Sequence, residues 1–125
     1  MNIREELNKE IEDKEKELRA WKLCANLLPN ELPHAQQAYS HQNYIAISIP
    51  ASPKMLKDVR RVLGRDWHRK YRMQHQDGDV ELRYVHKEYP QAELLIWLIL
   101  NYEGATCQRV PIEEKTETIY KMVCS

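Results

Sequence analysis

The sequence predicts an α+β fold: a long N-terminal coiled-coil-like helix, then a mainly antiparallel β-sheet packed on one helix, in the order β-α-β-β-β-β-β. Three observations predict it. The first 28 residues contain no glycine or proline, and their apolar positions recur at helical spacing. From Tyr44 onward, short segments rich in β-branched and aromatic residues are separated by proline and glycine turn signals. Among them, Ser52 to Gly64 has the serine–proline start and glycine stop of a helix. A length of 125 residues, 42% hydrophobic and 30% charged, suits one small domain plus a helix and is too apolar for disorder. The expected organisation is a dimerising helix over 1–28, a linker over 29–43 and an α+β domain over 44–125.

Asn2 is the expected N-cap of the first helix, with Glu5 and Glu6 complementing its dipole, and Pro29 ends it. Leu7, Ile11, Lys14, Leu18, Trp21, Ala25 and Leu28 follow alternating four- and three-residue steps, a coiled-coil seam with one polar intruder at Lys14. At 1.5 Å per residue such a helix runs roughly 40 Å, more than the rest of the chain can cover. Dimerisation through this helix is therefore expected; the alternative is a helix packed on its own domain with a frayed acidic start. Residues 29–43 read as polar linker, His34 and His41 included. Tyr44 to Ile49 alternates as a strand closed by Pro50. Met55, Leu56, Val59, Val62 and Leu63 give the second helix its buried face, while Lys54, Lys57, Arg60 and Arg61 fall on the outer one.

Trp67 to Lys87 reads as a β-hairpin with Asp77-Gly78 in a two-residue type I′ turn. Counting from that turn sets Tyr71 opposite Tyr84 and Met73 opposite Leu82 on an apolar face. Arg72 then faces Arg83 on the other face, beside Lys70, Lys87 and His68. Like charges across a strand pair repel, so Arg72 and Arg83 would be frustrated unless an anion lay over them. Ala92 to Tyr102 is apolar on both faces and is expected at the centre of the sheet. Ala105 to Ile112, interrupted at Pro111, and Glu117 to Cys124 make a last hairpin around a polar turn at 113–116, with Pro111 at an edge or bulge.

Net formal charge is zero, but between Lys54 and Arg72 eight cations face only Asp58 and Asp66. A local patch of that kind can bind anions on a neutral molecule. Three cysteines without a CxxC spacing argue against a disulfide scaffold or a zinc site. Cys107 and Cys124 could still face each other across the last hairpin, to pack or to bond; Cys24 reads as helix surface or seam. The apolar run Leu94 to Leu100 is too short to span a bilayer, and with no signal peptide visible a cytoplasmic location is expected. The three glycines, Gly64, Gly78 and Gly104, are each explained by a cap or a turn, which leaves no phosphate-cradling loop. No histidine, cysteine or carboxylate cluster has metal-ligand spacing, and no nucleophile with a base is legible. A non-enzymatic binding protein without cofactor is the expectation, its candidate residues being Arg72, Arg83, Arg109, Lys70, Lys87, His68, Arg60 and Arg61. Because Tyr71 and Tyr84 fall on the face away from these cations, an extended base-stacking platform is disfavoured against a compact phosphate-bearing ligand or an acidic protein surface.

The order of the long helix, YIAISIP, SPKMLKDVRRVLG and the strands ending GATCQRV and ETIYKMVC resembles small proteins carried by bacteriophages and prophages. The similarity covers residues 44–124, with Cys107-x-Arg109 and Val123-Cys124 its most specific part. Among such proteins it looks like the Thoeris anti-defence family. That resemblance implies a dimer that sequesters cyclic nucleotide messengers, such as cyclic ADP-ribose derivatives, without cleaving them. It also implies a pocket of arginines and an aromatic, with Arg109 carried over first, and the host cytoplasm as location. Two further functions remain open on the residues alone: an inhibitor that binds a host protein complex, and a nucleic-acid binder using the basic surface.

Overall fold

A computed structural model describes residues 2–112 and 118–125. The turn expected at 113–116 lies outside the described residues. The chain is α+β, in the order α1 (Ile3–Leu27), β1 (Gln37–His41), β2 (Tyr44–Pro50), α2 (Pro53–Leu63), β3 (Trp67–Gln74), β4 (Val80–His86), β5 (Glu93–Ile99), β6 (Gln108–Ile112) and β7 (Ile119–Val123). The Asn2 side chain accepts a hydrogen bond from the Glu5 N–H at 3.1 Å and so caps α1. At the other end Leu28 N–H bonds the Cys24 carbonyl before Pro29 stops the helix.

Five strands form one sheet in the order β1-β2-β5-β4-β3, and β6 and β7 form a separate two-stranded ribbon. All neighbours are antiparallel except β2 and β5. A parallel pair needs a crossover, and α2 with the β3–β4 hairpin supplies it. β5 is central, as its two-sided apolar pattern predicts. One face of the sheet is covered by helix. There Ile47 and Ile49, Leu94 and Ile96, and Val80, Leu82 and Tyr84 pack with Val59, Leu63 and Trp67, and with Cys24 from the last turns of α1. Cys24 is thus core, not surface; its Sγ donates to the Glu93 carbonyl at 3.3 Å, and burial pushes its thiol up to about 12.

Other expectations are corrected or decided. The polar linker contains β1, paired with β2 through the two-residue loop Gln42-Asn43, with Gln42 at φ 48°. His34 is tied down as well: its Nε2 lies 2.8 Å from Asp58 on α2, and that bond holds the Asp58 carboxyl below its usual range. Cys107 and Cys124 are joined in a disulfide across the β6–β7 ribbon, leaving Cys24 as the free thiol. Pro111 does not interrupt β6, because each strand of a two-stranded ribbon is an edge.

Candidate functional site: the open face of the sheet

The hairpin carries the largest correction. Its loop has three residues, Gln76 to Gly78, closed by His75 N–H to the Asp79 carbonyl at 2.8 Å and by Gly78 N–H to the His75 carbonyl at 3.0 Å. Gly78 takes φ 95°, whereas Gln76 and Asp77 are not in the positive-φ region, which excludes a type I′ turn. This is the three-residue loop ending in a left-handed glycine. It moves the register by one residue, so Arg72 lies opposite Leu82 and Tyr71 opposite Arg83. The register shifts again between Arg69 and Tyr71, where Lys70 is the extra residue of a bulge.

A one-residue slip sends side chains to the other face. Arg72 therefore leaves Arg83 and joins the helix-covered side at the exposed β3 edge. The facing arginine pair does not exist. In exchange, the new register brings Tyr71 to the same side as Arg83, and the bulge keeps Lys70 there and His68, opposite Val85, with it. Tyr71 is thus an open-face residue rather than core, whereas Tyr84 and Trp67 are core as expected.

No helix covers this second face. Across its middle run Tyr39, Ala46, Leu95, Arg83 and Tyr71; the next row holds Ser48, Trp97, Glu81 and Met73. The Arg83 guanidinium lies 4.3 Å from the Tyr44 ring centroid and 5.4 Å from that of Tyr71. Its Nη1 donates to Glu93 Oε2 at 2.7 Å, and Lys70 Nζ reaches the other carboxylate oxygen at 3.3 Å. Arg83 Nε is buried and finds no partner among the described residues. Glu81 is held at 2.7 Å by His75 Nε2 and at 3.4 Å by the Tyr71 hydroxyl. The His75 ring in turn lies 4.7 Å from that of Trp97. Both carboxylates are nearly buried, and each has hydrogen-bonding partners there, as burial of charge demands; Glu93 is also paired with two cations. Burial also raises the Tyr44 hydroxyl above its ordinary value, with Arg83 opposing, so the phenol stays neutral. Towards the hairpin loop the face opens into a hollow of about 290 Å³ lined by Tyr39, Ser48, Trp97 and Tyr102 among others. Ser48 Oγ and the Tyr102 hydroxyl meet there at 2.9 Å.

The remaining candidates lie elsewhere. Lys87 is exposed just past β4, with its N–H on the Asp66 carbonyl at 2.7 Å. Arg60 and Arg61 are on α2; Arg61 is 3.6 Å from Asp58, and Arg60 borders a hollow of about 50 Å³ with Leu63, Gly64, Trp67 and Tyr84. Burial raises the Tyr84 hydroxyl, and the charges of Arg60 and Arg69 oppose that rise. Arg109 lies over the Tyr120 ring at 5.4 Å, on the β6–β7 ribbon. The structure thus brings together Arg83, Lys70 and His68, and separates Arg72, Arg60, Arg61 and Arg109 from them. Sequence reasoning missed Tyr44, Glu81, Glu93, Trp97 and His75. A glutamate between strand apolars, as in Val80-Glu81-Leu82, is the signal that marks a buried partner for a cation. Among the described residues no three metal-ligating side chains cluster, and no helix is long and apolar enough to cross a membrane. No protein-family model matches the chain, and no curated protein or solved structure matches it either.

Proposed function

We propose that the chain is a non-enzymatic binding protein that holds a compact nucleotide against the open face of the sheet. One observation carries this: the register of the hairpin sets aromatic rings beside cations on the sheet face that no helix covers, the combination that stacks a base and meets a phosphate. Tyr71, Tyr44 and Trp97 offer the stacking surface. Lys70, with its side chain 57% exposed at the rim, and His68 beside it offer the phosphate contacts. Arg83 is committed to Glu93 and serves to fix the tyrosines rather than to grip an anion. Both carboxylates are already engaged, Glu93 by Arg83 and Lys70 and Glu81 by His75 and the Tyr71 hydroxyl, which leaves the exposed cations at the rim for the ligand. Capture without turnover is the behaviour of a sponge that lowers the free level of a nucleotide signal.

Calorimetric titration with cyclic mono-, di- and trinucleotides and the matching nucleosides tests the proposal. At least one nucleotide binds, is recovered unchanged, and loses tenfold or more in affinity to Tyr71→Leu and to Lys70→Ala. Flat titrations across the set would overturn it. A second function, docking of an acidic protein surface, is favoured by the exposed cations Lys57, Arg60, Arg69 and Arg72, for which the described residues provide no ion pair. It predicts a salt-sensitive complex that Arg69→Glu abolishes and Tyr71→Leu leaves intact.

A further inference from the structure

Residues 2–16 are exposed without interruption, and Cys24 alone on α1 is fully buried. Along this stretch Leu7 is 53%, Ile11 54% and Leu18 45% exposed. Most helix stability in proteins comes from packing an apolar face, and over residues 2–16 that face is left exposed. The residues of the seam say which occupant would fit it.

Reading the seam as a heptad puts Arg4, Ile11 and Leu18 at one core position and Leu7, Lys14 and Trp21 at the other. A parallel pair of identical helices sets each core residue against its own copy. Arg4 would then meet Arg4, and Lys14 would meet Lys14, inside the interface. An antiparallel pair centred between Glu12 and Asp13 removes both conflicts. Leu7 packs on Leu18 of the second copy, Ile11 meets the aliphatic stem of Lys14, and Arg4 lies over the Trp21 ring. Charge agrees with this direction. Residues 2–13 hold Arg4 and Lys9 against Glu5, Glu6, Glu10, Glu12 and Asp13, while residues 14–22 hold Lys14, Lys16, Arg19 and Lys22 against Glu15 and Glu17. Antiparallel pairing lays the acidic half of each helix on the basic half of the other. Lys14, already 3.5 Å from Glu17 of its own chain, gains Glu10 of the second copy as a neighbour. We infer that the uncovered N-terminal helix is a self-association element: a second copy of this chain pairs with it antiparallel, and the two sheet domains sit at opposite ends.

The inference stands independently of what the open face binds, because no seam residue belongs to that face. Sedimentation of the whole chain tests it, with a mass twice the 14.9 kDa of one chain expected. Leu7→Glu and Leu18→Glu, at positions exposed in the single chain, each halve that mass with the sheet signal in circular dichroism unchanged. Direction is read by oxidising Leu7→Cys and Leu18→Cys, alone and mixed. The mixture gives a cross-link between the two variants and each variant alone gives none; the native cysteines are buried or already bonded. A monomer at all concentrations, a higher oligomer, or cross-linking of each variant to itself would overturn the inference.

Discussion

Arg83 shows how one side chain decides what the open face is. Its guanidinium is held by Glu93 at 2.7 Å and flanked by two tyrosine rings, with the side chain only 16% exposed. Removing it strands Glu93 with a single, mostly solvated cation. Arg83→Met is therefore expected to lower stability by about 3 kcal/mol, read by urea denaturation, because the remaining carboxylate is nearly buried. Lys70→Ala, at the exposed end of the same trio, is expected to change stability by less than about 1 kcal/mol. That difference makes Lys70, and not Arg83, the informative position for a binding measurement.

At the level of elements, the hairpin separates what the sequence made legible from what it did not. Its two strands and its turn were plain in the alternation and in Asp77-Gly78. The register was not, since the same dipeptide serves a two-residue loop and a three-residue loop ending in left-handed glycine. The Lys70 bulge left no trace at all, as no glycine marks it. The extra loop residue moved Tyr71 onto the open face and took Arg72 off it, and the bulge kept Lys70 and His68 there, so most of the site stayed illegible although the strands did not. β1 escaped for another reason: all five of its residues are exposed, and a polar edge strand has no pattern to show. Two glycines test the observed loop. Gly64 and Gly78 both have a positive φ, but a Cβ on Gly64 meets nothing within 4 Å, whereas on Gly78 it would lie 3.0 Å from Leu100 Cδ1 and 3.3 Å from Tyr120 Cβ. Gly64→Ala, at ψ −163° in a region open essentially to glycine alone, is expected to cost about 2 kcal/mol from backbone strain alone, and Gly78→Ala about 2 kcal/mol or more from strain and contact together, measured by thermal unfolding.

On the scale of the whole molecule, the β6–β7 ribbon is a second small sheet fastened to the first. Tyr120 N–H bonds the Gln76 carbonyl at 2.9 Å, the Gln74 side chain bonds the Tyr120 carbonyl at 2.8 Å, and the Cys107–Cys124 bond closes the ribbon. An odd cysteine count concealed that bond, because the third thiol is spent in the core. With its ends 17 positions apart in sequence, the crosslink is worth roughly 3 kcal/mol on chain-entropy grounds. Reduction should lower the melting temperature accordingly. A thiol reagent should find no reactive group in the folded, oxidised chain, since Cys24 is buried and its thiolate is disfavoured. The parallel contact of β2 with β5 has a consequence of its own. Ile45 lies against Leu94, so during synthesis β2 emerges long before the strand that will complete it. Until β5 leaves the ribosome, one flank of Tyr44–Pro50 offers unpaired amides on an apolar ribbon, an invitation to the wrong neighbour. Nascent chains stalled short of Glu93 are consequently the species most in need of a chaperone.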